Sequence, residues 1–281
     1  MKKKSEQYSY KKGIIGVWDE VAPRYHKRFA KKDLGPFKSS AKIVELAKIK
    51  RGHAVLDVAC GTGALTKKIS RKVGHTGMVI GTDASENAIK IAKKWVGPKR
   101  NLDFIVADAE KLFFGKKFDA ITCQYGIFFF PDAIKVLKNL KNHLKKNGTI
   151  AISVHGDEDT VPFFSVILDA VTKYIPDFFP PGAPDFDRFG NRRALKKVAS
   201  DASFKKIKVN EFVFSYSPGS FSEFWKNYLR YIAKPAKRKL DALPKEKMKK
   251  IRDLAKKNSQ PYFKNGRLIF PWKVLILTAK K

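Results

Sequence analysis

At 281 residues, with 43% hydrophobic and 30% charged side chains, the chain has the material for one large core, and no apolar run reaches the about 18 residues of a membrane span. Two cysteines, Cys60 and Cys123, exclude a disulfide framework and match no zinc or redox spacing, so both are expected as buried thiols and no metal site is expected. The net charge of +33 points first to an anionic partner, but it is spread as +9 over 1–50, +10 over 51–150 and +14 over 151–281. Lysines also outnumber arginines 47 to 12, whereas dedicated readers of bases and phosphates lean on the arginine fork. A lysine-coated surface is therefore expected, with weak association with RNA or an anionic membrane surface as the alternative. The basic Met1-Lys-Lys-Lys start lacks a following apolar segment, so a cytoplasmic protein is expected.

In chain order, Val17–His26 reads as a short amphipathic helix. From about residue 40 to 156, strand-like and helix-like segments alternate. Ala54–Ala59 is a short apolar run and Gly63 to about Val73 a helix. Met78–Asp83 is a second strand, followed by a helix capped by Ser85 with Ile89, Ala92 and Val96 on one side. Phe104–Ala107 and Phe118–Gln124 are the third and fourth strands. Pro131 suits the first turn of a helix carrying Ile134, Leu137, Leu140 and Leu144, stopped at Asn147-Gly148, and Thr149–His155 is a fifth strand. Strands this apolar, separated by helices, predict a parallel sheet covered on both faces. Beyond 156 the rhythm changes: a helix over Thr160–Ile175, a loop rich in proline and aromatics over 176–186, and a short helix over Asn191–Ala199. A strand follows over Phe204–Tyr216. Next comes an aromatic helix carrying Phe221, Phe224, Trp225, Tyr228, Leu229 and Ile232, then a polar helix over Pro244–Lys257. A strand over Leu268–Ala279 closes the chain.

Val55-Leu-Asp-Val-Ala-Cys-Gly-Thr-Gly63 puts a glycine-rich turn between a strand and a helix, where backbone N–H groups approach a ligand closely. Asp57, in the strand before the turn, would repel the pyrophosphate of a dinucleotide but favours the ammonium and sulfonium of S-adenosylmethionine (SAM). The G-x-G-x-x-G spacing of dinucleotide folds fails in either register. Asp83, 20 residues after Gly63, suits ribose hydroxyls in either case. Asp108, ending the third strand, suits an adenine amino group or, alternatively, a helix cap. Three carboxylates at the carboxyl ends of successive strands favour one ligand crevice.

This series, continued by Gly81-Thr-Asp-Ala-Ser85, Ala107-Asp-Ala109 and Phe118-Asp-Ala-Ile-Thr-Cys-Gln124-Tyr-Gly, resembles the motifs of class I SAM-dependent methyltransferases. It is most similar to the branch of ubiquinone/menaquinone-biosynthesis C-methyltransferases. The matched motifs cover about residues 50–155. The resemblance implies an α/β Rossmann-like fold whose seven-stranded, mostly parallel sheet has the order 3-2-1-4-5-7-6 and helices on both faces. It implies SAM as cofactor and S-adenosylhomocysteine as product. By position, Ala59, Gly61 and Gly63 contact the methionine part, with Asp57 and Thr62 beside them. Asp83 and Ala84 take the ribose side, Asp108 and Ala109 the adenine, and Gln124 lies under the sulfonium. Val17–His26 resembles the helix that covers SAM, so Trp18 or Tyr25 would contact the cofactor; the alternative is a surface-packed helix. One methyltransferase domain over 1–281 is expected. It would comprise a cap helix (1–35), a SAM-binding half (36–155), substrate-side insertions (156–190 and 215–266) and last strands (204–214 and 267–281).

Methyl transfer is an in-line displacement that gains mostly from alignment in a dry pocket, and a general base is needed only for a protonated nucleophile. The candidate base is His155, at the end of the fifth strand; a histidine bonded to the backbone is the alternative reading, and His26 is a second candidate. Phe128, Phe129, Phe163, Phe164, Phe178, Phe179, Trp225 and Tyr228 are expected to line an apolar acceptor pocket, against the alternative that each is core. The expected acceptor is a small hydrophobic or aromatic molecule, quinone-like or another metabolite, methylated on carbon or oxygen. A methyltransferase acting on RNA or protein is the alternative.

Overall fold

Alternating apolar residues on each central strand face opposite sides of a sheet, so burial on both faces requires helices above and below. A computed structural model, describing residues 2–32, 34–157, 159–179, 183–231 and 234–281, has this arrangement. The strands are β1 (Ala54–Val58), β2 (Met78–Asp83), β3 (Leu102–Val106), β4 (Phe118–Gln124), β5 (Leu144–His155), β6 (Lys205–Gly219), β7 (Phe263–Lys264) and β8 (Arg267–Lys280). They form one sheet of order β3-β2-β1-β4-β5-β8-β6, with two-residue β7 pairing onto β8. The first five strands run parallel and β8 lies antiparallel between β5 and β6. Counting β8 as the seventh long strand, this is the expected order; β7 is an addition.

The helices are α1 (Lys2–Arg28), α2 (Ser40–Leu46), α3 (Ala64–Val73), α4 (Glu86–Val96), α5 (Ala133–Asn142), α6 (Pro162–Tyr174), α7 (Arg192–Asp201), α8 (Phe221–Tyr231), α9 (Lys234–Asp241) and α10 (Lys245–Asn258). Neighbouring strand residues divide between two cores. Val55 and Ile276 pack with Ile43, Ile69, Ile167 and Ile251 on one face. Leu56 and Leu275 pack with Leu137, Leu140 and Leu195 on the other. Ser85 caps α4 as expected, its hydroxyl accepting from Ala88 N at 3.0 Å. Ile232, and residues 180–182 of the proline-rich loop, lie outside the described residues.

Several boundaries differ from those expected. α1 is 27 residues long rather than a short helix, and it runs through Pro23. α5 begins after Asp132, whose carboxylate caps it by accepting from Lys135 N at 2.9 Å, leaving Pro131 outside. It also stops at Asn142, because Leu144 already pairs with Phe118 of β4. Asn147, at φ 64°, turns the chain inside β5 rather than ending a helix.

Candidate active site

The carboxyl ends of β1 to β4 and the underside of α1 line a cavity of about 150 Å³. β1 delivers the chain into Ala59–Gly63, where Ala59, Gly61 and Gly63 all have left-handed backbone (φ 52°, 54° and 85°). At Gly61 an added Cβ would meet nothing within 4 Å, so this glycine faces open space in the cavity wall. Gly63 serves packing instead, since a Cβ there would stand 3.0 Å from Phe104 and 3.2 Å from the Ala92 methyl. It lets α3 start close against α4 and β3, and it is not in the cavity wall.

Asp83 joins this loop to β2. Its carboxylate accepts from Gly61 N at 2.8 Å and Ser85 N at 2.9 Å. Burial pushes its pKa up, and those backbone donors oppose the rise. Asp57 is buried beneath the loop, accepting from Thr66 Oγ1 at 2.5 Å and Thr122 Oγ1 at 2.7 Å. Burial, opposed by the two hydroxyls and helped by nearby Asp83, moves its carboxyl up to about 6. Asp108 caps a short 3-10 turn by accepting from Glu110 N at 3.0 Å, and it also accepts from Lys11 Nζ of α1 at 2.6 Å. Lys11 reaches Glu110 as well, at 3.0 Å. Gln124 is pinned from α2: its amide accepts from Ser40 Oγ and donates to Ser39 Oγ, each at 3.1 Å.

Of the cofactor positions expected from sequence, Trp18, Tyr25, Asp57, Ala59, Gly61, Thr62, Asp83, Ala84, Asp108, Ala109 and Gln124 all line this one cavity. Gly63 alone stands behind it. The acceptor set fares differently: Phe129 lines the cavity, whereas Phe128, Phe163, Trp225 and Tyr228 do not. Phe163 packs among Tyr216, Phe224, Phe270 and Trp272 with ring centres 5.1 to 6.0 Å apart, and Trp225 stacks on Phe221. These rings fill the core between α6, α8 and β8. No lining residue falls within 156–190 or 215–266.

His155 is also outside the lining. Its Nδ1 lies 2.7 Å from the Gly156 carbonyl, its ring sits between Phe128 and Phe164, and burial holds its pKa below the usual histidine range. The same Nδ1 lies 3.5 Å from the Asp187 carboxylate. His26 instead braces the loop from α1, with Nδ1 2.9 Å from Thr62 Oγ1.

The sequence reading missed Lys11, Ile14, Ile15, Phe37, Tyr125 and Phe130 of the wall. Lys11, Ile14, Ile15, Trp18, Ala22 and Tyr25 stand at helical spacing, so the stripe was present in the sequence but began six residues before the segment assigned as helix. Both cysteines are buried, as expected, and burial raises both thiols.

Carboxylates along one edge and an aromatic remainder fit a ligand with hydroxyls, an ammonium and a flat base better than one bearing a pyrophosphate. With the strand order, they define the class: a class I SAM-dependent methyltransferase. Residues 2–181 match the model of the ubiE/COQ5 methyltransferase family, and the chain belongs to that family. It is 28% identical over 226 residues to the demethylmenaquinone methyltransferase of Staphylococcus saprophyticus, covering 75% of this chain and 92% of that one. The YcgJ protein of Bacillus subtilis shares the fold at 20% identity and a TM-score of 0.56, over 87% of this chain and 98% of that one. So does phosphoethanolamine N-methyltransferase 2 of Haemonchus contortus, in complex with S-adenosyl-L-methionine, at 17% identity and a TM-score of 0.53 over 87% and 52%.

Proposed function

We propose that the chain methylates a small, apolar, quinol-like aromatic acceptor held beside SAM in the cavity under α1. One observation carries this reading: a single cavity joins the carboxylate edge (Asp57, Asp83, Asp108) to a wall of Trp18, Tyr25, Phe37, Phe129 and Phe130. The name of the Staphylococcus saprophyticus relative, a demethylmenaquinone methyltransferase, supports the quinone class.

SAM supplies a methyl group already activated by the sulfonium. The chain's own residues do the rest. Asp57 offers negative charge to an ammonium, and Asp83 fixes the loop while facing ribose hydroxyls. Asp108 and Ala109 flank the base, and Gln124, immobilised by Ser39 and Ser40, holds the wall where β4 ends. Residues 1–35 act as the cover and 36–155 as the cofactor half. The aromatic wall excludes water, which favours in-line displacement by alignment rather than by a strong base.

The test uses SAM labelled on the methyl group, incubated with the protein and an extract of its source cells. Label should enter the organic-extractable fraction and be absent with Asp83→Ala, which removes the acceptor for Gly61 N and Ser85 N. Label in RNA or protein instead would overturn the acceptor class.

A further inference from the structure

The segment 156–190 puts no side chain into the cavity wall, yet one of its residues reaches the backbone that carries that wall. Beyond the end of β4, Ile127–Phe129 form a single 3-10 turn. It is closed by Phe129 N donating to the Gly126 carbonyl at 3.0 Å and Phe130 N donating to the Ile127 carbonyl at 3.2 Å. Phe129 and Phe130 line the cavity, and Ile127 and Phe128 are buried. So short a turn cannot satisfy its own last carbonyls, which need partners from elsewhere.

Arg188 supplies them. Its Nη2 donates to the Phe128 carbonyl at 3.2 Å, to the Phe130 carbonyl and, at the limit of bonding distance, to the Ile127 carbonyl at 3.5 Å. Burial opposes its charge, while Tyr10, Asp185 and Asp132 stand near enough to support it. An arginine in such company commonly forks onto a carboxylate. This one, among the described residues, gives its hydrogen bonds to main chain instead. Its guanidinium also lies 4.7 Å from the centre of the Phe189 ring. Phe186, two residues before it, sets its ring 5.4 Å from that of Phe129, and Trp18 of α1 meets Phe129 at the same 5.4 Å. The loop carrying Phe186 and Arg188 therefore grips this wall by ring and by backbone.

We infer that Arg188 is a positioning residue for the methyl acceptor. By holding the Ile127–Phe130 backbone it sets where the Phe129 and Phe130 rings stand, and so governs acceptor affinity without touching the acceptor. This rests on reading those rings as the acceptor wall. The cofactor edge is fixed separately: Asp57 by Thr66 and Thr122, Asp83 by Gly61 and Ser85, and Asp108 by Glu110 and Lys11. Loss of Arg188 therefore falls on the acceptor and spares the cofactor.

Two ligands and two variants test this by binding, without turnover. 1-Naphthol is titrated by equilibrium dialysis into protein loaded with S-adenosylhomocysteine, and S-adenosylhomocysteine alone is titrated by calorimetry. Arg188→Met removes every donor, and Arg188→Lys keeps the charge without the planar fork. Arg188→Met should bind 1-naphthol about tenfold more weakly, with S-adenosylhomocysteine affinity within about twofold of wild type. Arg188→Lys should recover only part, staying about threefold weaker for 1-naphthol. Amide exchange at residues 127–130 should quicken in Arg188→Met and be partly restored in Arg188→Lys. Equal losses for both ligands that follow a falling Tm would mean that Arg188 merely supports the fold, and would overturn the inference. So would an Arg188→Met protein that binds 1-naphthol as wild type does, an outcome that leaves the aromatic acceptor site standing. If Arg188→Met does not fold, Arg188→Lys decides alone: weaker 1-naphthol with unchanged S-adenosylhomocysteine supports the inference, and unchanged 1-naphthol overturns it. If wild type binds no 1-naphthol, the aromatic acceptor site fails and the inference with it.

Discussion

Asp57 illustrates how a single buried carboxylate links cofactor binding to pH. Its carboxyl, moved from 3.8 to about 6, opposes folding of the ligand-free chain at neutral pH by about 3 kcal/mol. The sign follows from the raised value: this residue's contribution is favourable at low pH and is lost as pH rises through about 6. A ligand ammonium beside it reverses the preference, since ionised Asp57 then has a cationic partner. SAM affinity should therefore weaken as pH falls below about 6, by about tenfold at pH 5, and Asp57→Asn should flatten the profile while binding more weakly above pH 6. Calorimetric titration with S-adenosylhomocysteine between about pH 5 and pH 7.5 reads both, and a flat wild-type profile would remove Asp57 from ammonium recognition.

At the scale of elements, α1 is the piece that turns an open sheet edge into a cavity, and it is held by side chains distant in sequence. Lys11 crosses to Asp108 and Glu110. His26 meets Thr62. Asp19 sits at the amino end of α4, accepting from Ser85 Oγ at 2.6 Å and Asn87 N at 3.0 Å. A carboxylate there completes orphan donors and meets the positive helix end. Asp19→Ala should loosen α1 by about 2 kcal/mol. Amide exchange in residues 5–28 should quicken while β1 and β4 stay protected, and S-adenosylhomocysteine should dissociate faster. Uniform exchange across all elements would mean that Asp19 supports the whole fold instead.

The same element marks where the sequence stopped being readable. Strands buried on both faces are continuous apolar runs, and a glycine turn followed by acidic strand ends is a local pattern, so β1 to β5 and the carboxylate edge could be located. Lys11 meeting Asp108, 97 residues away, has no local signature. Nor does an aromatic residue announce whether its ring fills a core or walls a cavity. Phe128 and Phe129 are adjacent, and only the second reaches the ligand space. The start of β5 was hidden because Leu144 continues the helical spacing of Leu137 and Leu140 while pairing with Phe118.

For the whole molecule, a charge of +33 on 281 residues is a self-repelling shell. Local pairs such as Lys197–Asp201 and Lys145–Asp119 neutralise little of it. Raising sodium chloride from about 20 to about 300 mM should therefore raise the Tm, because screening relieves more repulsion than the attraction it removes. A falling Tm would mean that the ion pairs dominate. Among the described residues no helix is long and apolar enough to cross a membrane.

The sheet ends at β6, a 15-residue strand paired on one side only. An unpaired strand edge is a template on which a second molecule can add its own. Lys205, Lys206 and Lys208 stand exposed along it, while Val213 further on is also exposed. Lysines on such an edge act as gatekeepers, keeping copies from zipping together. The salt that steadies each molecule also quiets these guards, so heat resistance and resistance to aggregation should pull in opposite directions as ionic strength rises.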